Sequence, residues 1–313
     1  MHQKEIAIAV QQLVNLTSLK FEFVQLLPNI VSTVLVNPLR DFEFTGDGAA
    51  SKEKTENLQM LAIIEARRDT LEELSLIDAE LYDNLYQQLA TCKNLRTLHL
   101  NTVENLRVLS WLNNLTALTI SYTTDFYPYG SIPANSLPNL RKLSVTACVE
   151  YDDPHYKENS DSTKPVVKKL IKACSNLTCL ELHIDDGCIA TSIFRTIAKK
   201  CIKLEKIKCH IFSTKLIPVD KYLSSLCKNL TQLKCLDLIG WSFNTSNLKI
   251  ILNQNQQIKI LHDNDRIYIA AKQPTKTVTS FLDCWQLADI GGICGRMKQW
   301  CLEPCKNISD IKK

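Results

Sequence analysis

The sequence predicts an α/β solenoid, a stack of short units that each hold one parallel strand and one helix, on three observations. A short apolar template recurs ten times along 313 residues. Each copy reads as a half-buried strand, and several are followed by apolar residues at helical spacing. Glycine is scarce, at 8 residues in the chain, against the roughly 7% usual in globular proteins, which argues against an architecture of tight hairpins.

The template is an apolar residue, two variable ones, an apolar residue, one variable, then usually another apolar. It appears as "NLTSLKFEF" (15–23), "PLRDFEF" (38–44), "TLEELSL" (70–76), "NLRTLHL" (94–100), "NLTALTI" (114–120), "NLRKLSV" (139–145), "NLTCLEL" (176–182), "KLEKIKC" (203–209), "QLKCLDL" (232–238) and "QIKILHD" (257–263). The leading apolar positions are separated by 23, 32, 24, 20, 25, 37, 27, 29 and 25 residues, a period that belongs to leucine-rich repeats. Leu180 and Leu182 alternate with Cys179, Glu181 and His183, the period-2 pattern of a strand with one face buried.

Helical spacing follows. In "GCIATSIFRTIAKKC" the stripe is Ile189, Ile193, Ile197 and Cys201; in "KPVVKKLIKAC" it is Val167, Leu170, Ile171 and Cys174. "LYDNLYQQLATC" carries Leu81, Leu85 and Leu89, and "SNLKIILNQN" carries Leu248, Ile251 and Leu252. One strand and one helix cannot enclose a core alone, but stacking them buries a continuous one. The expected form is a ribonuclease-inhibitor-like horseshoe, with parallel strands on the concave face and helices on the convex face. Residues 1–14 are read as an N-terminal capping helix, 15–263 as about ten repeats, and 264–313 as a C-terminal cap or partly disordered tail.

A hydrophobic content of 45% suits a continuous core, and a net charge of +4 implies no polybasic surface for nucleic acid. The start, "MHQKEIAIAVQQLVNL", has polar and acidic residues inside its apolar run and does not read as a signal peptide. No run reaches the ~18 apolar residues of a membrane span. The expected location is cytoplasmic or nuclear, in a reducing compartment where structural disulfides are rare. The sequons at Asn15, Asn114, Asn176 and Asn229 would then carry no glycan, and their recurrence calls for another cause.

Five of the 13 cysteines lie within residues 174–209. Cys92, Cys174, Cys201 and Cys227 each stand three residues before a leucine, at a position read as the corner between helix and strand. Cys209 takes an inward strand position. Small apolar thiols suit crowded corners, and the spacing of 27 between Cys174 and Cys201 is the repeat itself. A zinc site would need clustered ligands such as a CxxC pair, and the chain has none. No metal or cofactor is expected. At 227–238, "CKNL" and "QLKCL" offer two phasings of the repeat.

The pattern C-x-x-L-x-x-L-x-L, followed by a loop, a helix and the next cysteine, here "CSNLTCLEL…IDDGCIATSIFRTIAKKCIKL", resembles the cysteine-containing repeats of F-box/LRR proteins. The resemblance covers roughly residues 15–263. It implies a substrate-recognition subunit of a cullin-type ubiquitin ligase. The helical F-box that normally precedes such repeats is not recognisable, so a ligase adaptor would be reached through a missing or divergent F-box.

Function should sit on the variable strand positions and in the long loops. The central variable row is Lys20, Glu43, Ser75, His99, Thr119, Ser144, Glu181, Lys208 and Asp237. The next row is Glu22, Thr45, Ile77, Asn101, Ser121, Thr146, His183, His210 and Ile239. This mixed polar face suits a protein partner better than a phosphate backbone. Glu181, Lys208 and Asp237 are expected side by side as charges that neutralise one another on a solvated sheet. His183 and His210 should be neighbours with Glu181 close by, which gives two strong metal ligands at best and no HExxH spacing.

The repeats starting at 115 and 140 spend their length on aromatic loops. One carries Tyr122, Phe126, Tyr127 and Tyr129; the other carries Tyr151, His155 and Tyr156. Both leave the C-terminal ends of consecutive strands, so they should form one rim, and aromatics are the usual anchors of protein interfaces. The alternative is that some of these rings fold back over the core. "FLDCWQLADIGGICGRMKQWCLEPC" reads as a hydrophobic cap. No GxSxG, phosphate-cradling glycine loop or paired Cys and His is present, so no enzyme is expected. Two readings result: a monomeric scaffold that presents a target protein within a ligase complex, or a ribonuclease-inhibitor-like inhibitor or structural scaffold with no ligase link.

Overall fold

The computed structural model describes residues 12, 15–22, 31, 37–45, 54–77, 83–101, 103, 105–123, 130–148, 166–184, 190–211, 217–218, 220–239, 241–242, 259–262, 266–269, 285–289 and 300–304. They belong to two compact units, Met1–Ser175 and Asn176–Lys313.

In the first unit six parallel strands stand side by side in chain order. They are β1 (Ser18–Glu22), β2 (Asp41–Thr45), β3 (Glu73–Ile77), β4 (Thr97–Leu100), β5 (Ala117–Thr123) and β6 (Lys142–Cys148). Helices α1 (Lys54–Arg67) and α2 (Asp83–Thr91) and a 3₁₀ helix (Leu106–Trp111) lie between them in sequence, and α3 (166–173) follows β6. In the second unit β7 (Cys179–Ile184), β8 (Lys206–Ile211), β10 (Cys235–Ile239) and β12 (Lys259–His262) are parallel neighbours. Helices α4 (Ala190–Lys200) and α5 (Asp220–Asn229) connect the first three.

Short strands β9 (Ile217–Pro218) and β11 (Trp241–Ser242) pair with each other. Strand β13 (Arg266–Ile269) is antiparallel to β12. Strands β14 (Trp285–Asp289) and β15 (Trp300–Pro304) form a separate antiparallel pair. The expected capping helix at 1–14, apart from Gln12, and the helix expected at 246–255 lie outside the described residues.

The template residues are the core. In the eight copies from Leu39 to Leu238, every one of the three apolar positions is at most 4% exposed. The opposite side of each strand stays partly open, as in the alternating burial of β7. Helices close the buried side: Leu85, Tyr86 and Leu89 of α2, and Ile193, Phe194, Ile197 and Ala198 of α4, are all buried. This is the α/β leucine-rich-repeat solenoid the sequence predicts.

Two hydrogen-bond motifs repeat with the template. At five corners the amide of the leading leucine reaches back three residues: Leu95 to the Cys92 carbonyl, Leu115 to Leu112, Leu140 to Leu137, Leu204 to Cys201 and Leu233 to Leu230, at 3.1–3.3 Å. At the start of each strand, one carbonyl of the preceding repeat accepts two successive amides. Thr17 accepts from Arg40 and Asp41, Arg40 from Glu72 and Glu73, Glu72 from Arg96 and Thr97, Arg96 from Thr116 and Ala117, and Thr116 from Arg141 and Lys142. In the second unit Thr178 accepts from Glu205 and Lys206, and Glu205 from Lys234 and Cys235.

The first motif resolves the phasing at 227–238 and corrects one expectation. The corner of that repeat is Leu230, not Cys227. Cys227 sits within α5, which runs to Asn229, and it is 4% exposed. The corner with this bond is therefore a cysteine in two repeats, at Cys92 and Cys201, and a leucine in three, at Leu112, Leu137 and Leu230, since either side chain fills an apolar void.

The residue before the leading leucine has a structural role in three repeats. The side-chain amide of Asn94 donates to the Asp69 carbonyl at 2.7 Å, and that of Asn139 donates to the Asn113 carbonyl at 2.9 Å. Both reach to the turn of the repeat before. In the second unit Lys203 takes the equivalent place and donates to Asn176 Oδ1 at 2.7 Å.

The 20-residue interval before Leu115 departs from the expected α-helix. It holds the six-residue 3₁₀ helix, N-capped by Asn105, whose Oδ1 accepts from the Arg107 amide at 3.1 Å. A 3₁₀ helix rises ~2.0 Å per residue against ~1.5 Å in an α-helix, so six residues cover about 12 Å, close to the roughly 13.5 Å of the nine-residue α2. Gly130, at φ +80°, meets this cap: a Cβ there would lie 2.7 Å from Asn105 Oδ1. The chain beyond it seals the end of α3, where the Asn135 and Leu137 amides donate to the Lys172 and Ala173 carbonyls.

Leu180→Ala should cost about 2–5 kcal/mol in urea unfolding because it opens a cavity in a fully buried position. Asn139→Ala, which removes an exposed link, should cost less than ~1 kcal/mol. The thiols supply a second check. Burial pushes Cys201 and Cys227 up to about 12, and Cys92 to about 11 with help from Asp69. Iodoacetamide labelling followed by mass spectrometry should modify the half-buried Cys179 and Cys235 before these three.

Candidate protein-binding face

The strand registers place the variable residues in the rows expected from the template. In the first unit Lys20, Glu43, Ser75, His99, Thr119 and Ser144 are successive partners. Lys20 Nζ lies 2.9 Å from Glu43 Oε1, and the rest of this row is uncharged apart from any proton on His99. Ser75 and Ser144 are buried, so this part of the face is shallow and offers small hydroxyl groups.

In the second unit Glu181, Lys208 and Asp237 are successive partners, as are His183, His210 and Ile239. The His183 and His210 rings meet edge to face, with centroids 4.8 Å apart at 83°. Lys208 Nζ is 3.5 Å and Lys206 Nζ 3.9 Å from Glu181 Oε1. The Cys179 thiol is 3.9 Å from the same oxygen.

Asp237 corrects the picture of a solvated, alternating row. It is 3% exposed, and its contact is the diagonal neighbour His210, whose Nε2 lies 3.1 Å from Oδ1. Despite that distance, Nε2 is buried without a hydrogen bond. A pairing read along the row could not reveal a diagonal contact, nor the approach of Lys206 from the row below. Burial, followed by the neighbouring His210, holds His183 below the usual imidazole range, while Glu181 and Asp237 oppose the shift. Among the described residues, no three His, Cys, Asp or Glu side chains are grouped so as to hold a metal ion.

Tyr122 lies in β5, in register with Ala147 and two residues beyond Ile120. Phe126, Tyr127, Tyr129, Tyr151, His155 and Tyr156 lie outside the described residues. Among the described residues, no helix is long and apolar enough to cross a membrane.

This fold is shared with leucine-rich-repeat proteins of known structure. The leucine-rich repeat-containing protein LegL7 from Legionella pneumophila is similar over 85% of this chain and 90% of its own, with a TM-score of 0.50 and 12% identity. A leucine-rich-repeat protein of Leptospira interrogans is similar over 85% of this chain and 59% of its own, with a TM-score of 0.45 and 17% identity. No protein-family model and no curated protein matches the chain in sequence.

The His183 environment gives a pH dependence of known sign. A histidine with a depressed folded-state pKa takes its proton later than the unfolded chain does. Its contribution therefore becomes destabilising as pH falls through about 6.5 and levels off below the folded value. His183→Gln, which leaves Glu181, Lys208, His210 and Asp237 in place, should lose less stability than the native chain on acidification from about pH 7.5 to 5.5. Urea midpoints across that range provide the measurement.

Proposed function

We propose that this chain is a non-enzymatic scaffold that binds a protein on its open strand face and on an aromatic rim. The observation that carries the reading is the register. It lines up the variable residues of successive repeats in rows while the template residues of the eight copies from Leu39 to Leu238 are buried, which leaves a polar, mixed-charge strand face in each unit. Such surfaces recognise partners through a few anchors set among weakly contributing contacts. The contact set is His99, Glu181, His183, Lys208, His210 and Asp237 on the strands, with Tyr122, Phe126, Tyr127, Tyr129, Tyr151, His155 and Tyr156 at the rim.

The resemblance to F-box/LRR repeats extends this to delivery of the bound protein for ubiquitination, with the adaptor contacted through a missing or divergent F-box. Residues 1–14 and 264–313 would cap the repeats of 15–263. The unpaired thiols of Cys92 and Cys227 suit a reducing, intracellular setting.

Affinity purification of the tagged chain should recover a cullin-complex adaptor; its consistent absence would remove the ubiquitin link and leave a scaffold of the ribonuclease-inhibitor kind. Against a recovered target, Tyr127→Ala and Tyr129→Ala should each weaken binding by about 2 kcal/mol where the ring is a true anchor, with little change in Tm. A large fall in Tm would instead mark those rings as core.

A further inference from the structure

The near-neutral chain is electrically divided between its two units. Residues 1–175 hold 17 Lys and Arg against 21 Asp and Glu, whereas residues 176–313 hold 20 against 12. Part of the second unit's excess gathers where its strands begin. Lys199 and Lys200 end α4, and Lys228 lies in the last turn of α5. These helices lie side by side. Because Cys201 and Leu230 are equivalent corners, Lys199 and Lys228 occupy the same place in successive repeats. Lys203 follows in the adjoining turn, and all four lysines are exposed.

The carboxylates of the neighbouring strands are engaged elsewhere. Glu181 is shared by Lys206 and Lys208, Glu205 holds Lys234 at 2.7 Å, and Asp237 faces His210. Lys199, Lys200 and Lys228 have no carboxylate partner among the described residues. A helix C-terminus favours a cation, but its dipole amounts to only about half a charge, less than the two lysines that end α4. Solubility would not place an apolar group there either. Yet Ile202 stands between Cys201 and Lys203 at 58% exposure, while the corner on one side and Leu204 on the other are fully buried.

We propose that this strand-start edge of the second unit docks an acidic segment of a partner protein. Its carboxylates would meet Lys199, Lys200, Lys203 and Lys228, and an apolar side chain would cover Ile202. This surface is built from helix ends and a turn rather than from the strand face, and it stands whether or not that face binds a target.

Fluorescence anisotropy of the full chain with a labelled peptide of alternating Glu and Leu tests the proposal. Binding should weaken steeply between roughly 50 mM and 300 mM salt, as screening of exposed charges requires. The double variant Lys199→Glu/Lys228→Glu should bind about tenfold or more weakly, because like charges then face each other. Lys93→Glu/Arg107→Glu, which makes the same charge change on the first unit, should bind as the native chain does. Ile202→Ser should weaken the Glu-Leu peptide and leave an alternating Glu-Ser peptide unaffected. Circular dichroism would confirm that each variant is folded. Absence of peptide binding, equal loss in the two charge-reversed pairs, or tighter binding of a single-stranded oligonucleotide of equal charge would overturn the proposal. So would sedimentation showing that low salt drives self-association that Lys199→Glu/Lys228→Glu abolishes, since the occupant would then be a second copy.

Discussion

The structure depends on one shared acceptor per repeat. The carbonyl that follows the leading leucine accepts two amides from the next repeat, and the residue that donates the first of them supplies the next carbonyl. Thr17, Arg40, Glu72, Arg96, Thr116 and Arg141 form such a chain in the first unit; Thr178, Glu205 and Lys234 form one in the second. A carbonyl has two lone pairs, so nothing but backbone is required. The side chains at the accepting positions are accordingly unrelated: threonine, arginine and glutamate all serve. The link also ignores what lies between two strands. A 14-residue helix separates β2 from β3 and a six-residue 3₁₀ helix separates β4 from β5, yet both pairs keep the same register.

With the backbone aligned in this way, side chains need only match volume at the corners. Cys92, Cys201, Leu112, Leu137 and Leu230 make the same turn, with the same amide-to-carbonyl bond three residues on. The thiol is there for its size and low polarity, and burial raises its pKa rather than activating it. Cys227 shows how a repeat signature can mislead. It stands three residues before a leucine, as the others do, but that leucine is itself the corner, and the helix runs one turn further than the cysteine suggests.

On the open face the same alignment creates contacts that no single repeat contains. Asp237 loses its water because neighbouring strands crowd it, and it lies against His210 of the strand beside it. His183 then packs its ring against that of His210 and resists protonation. The cluster is a product of stacking: each member is an ordinary variable position in its own repeat. The lysines around Ile202 arise differently. They lie on helix ends and turns, where the charge of each repeat is set locally and adds up because repeats are placed in sequence order.

The sequence by itself determined the repeat, the buried positions of the eight copies from Leu39 to Leu238 and the rows in which their variable residues stand, but not the tenth copy, where Ile260 rather than the template's Leu261 is the partner of Leu236. Those follow from a period-2 strand pattern at constant phase, which survives any length of intervening chain. Tertiary structure alone decided which corner Leu230 occupies, that a 3₁₀ helix replaces an α-helix where only 20 residues separate two strands, and that Asp237 is buried against a diagonal partner. Each of these depends on distances between residues of different repeats, and a one-dimensional pattern carries phase but not distance.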